Sequence, residues 1–125
     1  MTDAPRRPAA TPDDLVEIEA IKRLKHLYVR LLDLKRWDEL GDLFVPDATS
    51  AYSDGKYSFQ GRDAILAFLR QALASPNVLT SHRVQQPEID LAGPDTAVGV
   101  WALDDVVILV EHATTVRGAG FYRDE

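Results

Sequence analysis

Apolar residues return at helical spacing along the first third of the chain: Leu15, Ile18, Ile21, Leu24, Tyr28, Leu31 and Leu32. That period predicts one long helix ending near Lys35. Its start is marked, because Thr11 can cap, Pro12 suits the first helical position, and Asp13 with Asp14 complement the amino-terminal dipole. Trp37, Leu40, Leu43 and Phe44 form the apolar side of a short second helix over 37–44, which Pro46 ends. Alternation then replaces the helical period. Ala48, Ser50 and Tyr52 alternate, Asp54-Gly55 is a dipeptide preferred in tight hairpin turns, and Lys56 to Gln60 is the return strand. Gly61 leads into a third helix striped by Ile65, Phe68, Leu69, Ala72 and Leu73, stopped at Ser75-Pro76-Asn77.

The remainder reads as β-strand. Val78, Thr80, His82, Val84 and Gln86 share one face, and Pro87 implies a bulge or an edge position. Gly93-Pro94-Asp95 is a turn. Thr96 to Val110 is a long strand with Trp101, Leu103 and Asp105 on one face and Val98, Val100 and Asp104 on the other. Another strand starts at Gly118 and runs to Arg123. Three helices interleaved with a hairpin and followed by long antiparallel strands make an α+β fold. A curved antiparallel or mixed sheet wrapped around the long first helix gives a cone with an apolar interior, a concavity of the kind that takes small ligands.

Composition narrows the function classes. A chain of 125 residues holds one core and not two. The net charge of −6, with no basic cluster, argues against a nucleic-acid or anionic-membrane partner. With no cysteine there is no disulfide, thiolate nucleophile or thiolate metal site, which fits a cytoplasmic setting. No apolar run is long enough to span a bilayer. The stretch from Met1 to Ala10 is rich in proline, alanine and arginine, so residues 1–12 are expected as a flexible tail before a domain over 13–125.

Among the chemistry-bearing residues, His82 stands out. It lies on a β-patterned stretch, with Tyr28 and Asp33 far upstream on the first helix. A carboxylate on one imidazole nitrogen fixes which nitrogen is free to take a proton, and a phenol beside it can donate to a developing oxyanion. Asp33 is the member least favoured by helical geometry, since five residues turn about 140° from Tyr28. Its participation requires the helix to end or bend around Leu34. The bland reading is a solvated aspartate at a helix end and a satisfied strand histidine. His26 falls on the polar side of the helix and His112 in a turn, and no pair of histidines has metal-ligand spacing. There is no glycine-rich phosphate loop and no nucleophile elbow.

The chain resembles the SnoaL-like branch of the nuclear transport factor 2-like superfamily. The resemblance rests on Tyr28-Val-Arg-Leu-Leu-Asp33, Trp37-Asp38-Glu39-Leu40 with Leu43-Phe44 and Asp47, and Gly61-Arg62-Asp63-Ala64-Ile65. It continues through Thr80-Ser81-His82, Ala97 to Trp101 with Asp104-Asp105, and Gly118-Ala119-Gly120-Phe121-Tyr122, covering about Leu15 to the end. The resemblance implies an α+β cone with its pocket at the open end, no metal or organic cofactor, and a homodimer. It gives catalytic roles to Tyr28, Asp33 and His82. It adds an acid on the following strand, Asp105 by spacing with Asp104 as the alternative. Relatives continue past Gly-Phe-Tyr into another strand, so the sheet is expected to lack its last strand and to leave an open edge. Tyr52, Phe59, Phe68 and Trp101 are candidate substrate-binding residues, with plain core packing equally open for each.

These readings point to a cofactor-independent lyase or isomerase, dehydratase-like, acting on a small hydrophobic ring compound such as a steroid, terpenoid or polyketide. The rival is a non-catalytic small-molecule-binding or dimerisation module of the same fold, because a fold alone does not license chemistry. Hydration of an epoxide is a third reading, for which the sequence carries no positive sign.

Overall fold

The structure, a computed structural model, describes residues 7–125. Helix α1 spans Pro12–Asp33 and opens with a capping box. The Asp14 N–H donates to the Thr11 hydroxyl at 3.2 Å, and the Thr11 N–H returns a bond to the Asp14 carboxylate at 3.1 Å. The flexible tail expected over 1–12 lies partly on residues 1–6, outside the described residues. From Arg7 onward the chain is held: the Arg7 guanidinium pairs with Asp14, and its backbone bridges Leu91. That guanidinium, together with the Ala10 N–H, holds the Asp14 carboxyl well below the usual carboxylate range.

The buried side of α1 is rotated from the apolar stripe read in the sequence. Leu15 and Leu24 are 60% and 48% exposed, while Lys25, Val29, Leu31 and Leu32 are buried. The reason is a charge that a hydropathy pattern counts as outward-facing. The Lys25 ammonium turns inward because the Asp124 carboxylate, 2.7 Å away, and three aromatic faces receive it.

Helix α2 is Trp37–Gly41, shorter than the expected 37–44. Leu43 and Phe44 continue as turns bonded back to Leu40 and Gly41. Gly41 is a poor helix residue retained because the Leu66 side chain sits where a Cβ would be, at 2.9 Å. Strands β1 (Thr49–Tyr52) and β2 (Tyr57–Gln60) form an antiparallel hairpin. Asp54 and Gly55, both with positive φ, occupy the centre of its turn, closed by Lys56 N–H to Ser53 O. Helix α3 covers Arg62–Leu73. Leu31, Leu32, Leu40, Ile65 and Leu69 then make one core between the helices and the hairpin.

The second sheet is antiparallel throughout, in the order β3-β4-β5. Strand β3 is Val78–Leu91 and β4 is Ala97–Leu109; a single 3-10 turn, Val110–His112, joins β4 to β5, Thr114–Asp124. Strand β3 runs past Pro87 through a bulge between Gln85 and Glu88, where Gln86 takes a positive φ. The strand expected from Gly118 to Arg123 is present as β5, the last strand of the sheet, and it starts four residues earlier, since Thr114 already pairs with Leu109. Helix α1 packs chiefly on β3, and the curved antiparallel sheet with these helices is the expected α+β fold.

Two glycines of the sheet test this packing. A Cβ at Gly99 would lie 2.3 Å from the Trp101 ring, whereas one at Gly120 would meet nothing within 4 Å. Gly99→Ala is therefore expected to lower stability in urea denaturation by about 1–3 kcal/mol, while Gly120→Ala leaves it within about 1 kcal/mol of wild type. Equal effects of the two substitutions would contradict the placement of Trp101.

Candidate active site

Helix α1 ends at Asp33, with Leu34 as its cap and Lys35 in the left-handed region. Ending there frees the Asp33 side chain from the helical array and turns it onto β3. Its carboxylate accepts three hydrogen bonds: from the Thr80 hydroxyl at 2.8 Å, the His82 backbone N–H at 2.9 Å, and the His82 ring at Nδ1, 2.6 Å. Burial alone would raise the Asp33 pKa, but the bonds from His82 and Thr80 outweigh it, and the carboxyl stays below its ordinary value. An ionised carboxylate has only acceptors, so Nδ1 carries the hydrogen, and in the neutral imidazole Nε2 is the nitrogen with the lone pair. The His82 side chain is 10% exposed and that of Asp33 24%, so the pair keeps a path to solvent.

His82 pairs across the sheet with Asp105, and Asp105 with Gly118, which puts all three on the same inner face. Gly118 is required there, because the Asp105 carboxylate occupies the space a Cβ would take. Asp104 is on the outer face, where the Gln85 amide donates to it at 2.8 Å. The next inner rows are Leu103 with Gly120 and Trp101 with Tyr122. Burial first, then Tyr52 and the carboxylates of Asp124, Asp105 and Asp33, push the Tyr122 phenol upward. Burial and then Tyr122, Tyr52 and Asp124 do the same to Tyr28. Both phenols are protonated donors at neutral pH, and Tyr28 stacks edge-on against Tyr122 with centroids 6.2 Å apart.

The structure thus brings Asp33 and His82 into contact and sets Asp105 on the same inner face as His82. Tyr52, another candidate, lies close enough to Tyr28 to influence its ionisation. Phe59 and Phe68 stack on each other at 4.4 Å and pack against the helical core. Trp101 is 2% exposed. Thr80, Tyr122, Lys25 and Asp124 were not singled out as site residues. Thr80 was legible as the same-face neighbour of His82, and Lys25 as the residue one turn before Tyr28. Among the described residues, surface hollows occur that neither Tyr28 nor Trp101 lines. One of 540 Å³ is lined by Trp37, Asp42, Arg62, Leu66 and Arg70, and one of 420 Å³ by Ser81, Arg83, Asp104, Asp105 and Arg117. Among the described residues no three acidic or histidine side chains form a metal-binding group.

A first helix that hands an acid to a strand histidine, inside a curved sheet, defines a class of small α+β domains. The sequence profile of the SnoaL-like domain matches residues 13–125, and the chain belongs to that family. Among solved structures, it is similar to a scytalone dehydratase candidate from Novosphingobium aromaticivorans DSM 12444. That match has 27% identity and a TM-score of 0.82, over 89% of this chain and 73% of the other. Aln2 from a Streptomyces species shares the fold at 17% identity and a TM-score of 0.72, over 94% and 81% of the two chains. An epoxide hydrolase of M. tuberculosis, of the LEH-like type, shares it at 14% identity and a TM-score of 0.59, over 82% and 71%.

The carboxylate also has a stability signature. Its folded pKa is depressed, so its stabilising effect is complete above the unfolded value of about 3.9 and is lost as the pH falls through the lower folded value. Asp33→Asn is expected to cost about 1–3 kcal/mol near neutral pH by weakening the bonds to Thr80 and His82. The gap between wild type and variant, read by denaturant titration, should shrink as the pH drops below about 4. A pH-independent gap would contradict an ionised Asp33.

Proposed function

We propose that this protein is a cofactor-independent lyase or isomerase of the dehydratase type, acting on a small hydrophobic ring compound such as a steroid, terpenoid or polyketide. The observation that carries the reading is the 2.6 Å contact between Asp33 Oδ1 and His82 Nδ1. The carboxylate holds the ring with Nε2 free, and stabilises the imidazolium that forms when Nε2 takes a proton. That proton comes from a carbon next to a carbonyl, or from one next to the carbon bearing a leaving hydroxyl. In the dehydration, the C–H electron pair becomes the new double bond and hydroxide departs with a proton, as water. The acid for the departing oxygen is a protonated phenol facing the interior: Tyr28, with Tyr52 beside it. Asp105 pairs across the sheet with His82 and shares its inner face.

The family and its scytalone dehydratase neighbour support an isomerase or dehydratase assignment at the level of reaction type. The substrate class is argued from the rings of Tyr28, Phe44 and Tyr122, which pack edge to face beside the polar groups of the site. We extend the reading to a homodimer in the cytoplasm; exposed Leu79, Ile108 and Phe121, on the outer face of the sheet, give apolar surface for a second copy.

A general base contributes about 10²- to 10⁴-fold to a rate. His82→Gln should therefore lower turnover of a hydroxylated or keto ring substrate by about that factor, with circular dichroism and melting behaviour unchanged in kind. Wild-type turnover in a folded His82→Gln protein sinks the mechanism and leaves the binding module.

A further inference from the structure

The inner face of the sheet carries a second polar feature that proton transfer does not use. Trp101 is 2% exposed, yet its indole Nε1 has no hydrogen-bond partner. A buried donor left unpaired is costly, and native structures rarely tolerate one without a water or a ligand to receive it. The benzene edge of the indole, atoms Cζ3 and Cη2, lies over Gly99. The pyrrole edge with its N–H is on the opposite side of the ring, facing away from Gly99. The Lys25 ammonium, paired with the Asp124 carboxylate, lies 5.5 Å from the same ring. The unpaired indole N–H favours an oxygen acceptor.

Room for such a ligand is written into β5. Along the inner face, the His82–Asp105–Gly118 row and the Trp101–Tyr122 row are separated by the Leu103–Gly120 row. Gly120 brings no side chain to that middle row, and the position a Cβ would take is open space. The outer two rows are four strand residues apart, roughly 13 Å.

We infer that the ligand lies over Gly120 and that Trp101 Nε1–H donates to an oxygen at its far end. The substrate class is then a two-ended ring compound. One end presents the C–H that His82 deprotonates, and the other carries a carbonyl, ether or hydroxyl oxygen. This inference rests on the proposed reaction for the first end only. Anchoring by Trp101 is a binding property and stands or falls separately.

The test uses the whole chain with ¹⁵N-labelled tryptophan, whose two indoles are assigned by Trp37→Phe. The probes are ring ketones of one to three fused rings, each paired with the hydrocarbon of the same skeleton, for example 1-tetralone with tetralin. The ketone should shift the Trp101 indole N–H signal and slow its hydrogen exchange. It should also bind about five- to tenfold tighter than the hydrocarbon, the worth of one hydrogen bond. Trp101→Phe should abolish that preference, and Gly120→Val should weaken both probes while the melting temperature holds. His82→Gln should keep the preference, so a failed reaction mechanism and a failed anchor give different results. An indole signal unmoved by every ketone, or one that shows only a permanently bound water, overturns the inference. So does a folded Trp101→Phe protein that still prefers the ketone.

Discussion

One carboxylate joins the two halves of this molecule. Asp33 is the last residue of α1, where the helix dipole is unfavourable to negative charge, and it is partly buried. Both conditions oppose ionisation. It is ionised because Thr80 and His82, 47 and 49 residues further along the chain, aim three donors at its two oxygens. The same bonds set the position of β3 against α1 and the tautomer of the imidazole. The packing of the sheet on the helix and the orientation of the imidazole therefore depend on one set of contacts, and a substitution that loosens the sheet from the helix also frees the histidine.

The interior is graded from that point. Next to His82 stands Asp105, then the row of Leu103 and Gly120, then the Tyr122–Trp101 row. Lys25 closes the far end, held between Asp124 and the rings of Tyr28, Trp101 and Tyr122. Burial pushes the Lys25 ammonium down while Asp124 opposes it, and burial pushes the phenols up. Burial thus keeps the phenols protonated, while the bonds to Asp33 keep its carboxyl an acceptor.

Local rules were legible in the sequence where they act locally. Thr11-Pro12-Asp13-Asp14 announced the start of α1, Asp54-Gly55 the hairpin turn, and Pro87 the bulge in β3. The family was legible from the order of its motifs. What could not be read were features set by partners distant along the chain. Leu15 and Leu24 were expected inside, but Asp124 makes it favourable to bury Lys25 instead. Helix α2 stops at Gly41, whose missing side chain leaves room for Leu66 of α3. On an ideal helix Asp33 points away from the Tyr28 stripe, and only the ending of α1 at that residue lets it meet β3. Asp104 and Asp105 were a choice the residues left open, and the cross-strand register puts Asp105 on the inner face with His82.

The family supplies the scaffold, and the site must supply the function. The chemistry stands on the state of one ring, which ¹⁵N NMR of selectively labelled histidine reads directly. In the neutral imidazole of His82, Nδ1 should appear as the protonated nitrogen and Nε2 as the bare one, and Asp33→Asn should disturb that assignment. A neutral His82 with its hydrogen on Nε2 would leave no lone pair facing a substrate and would contradict that chemistry.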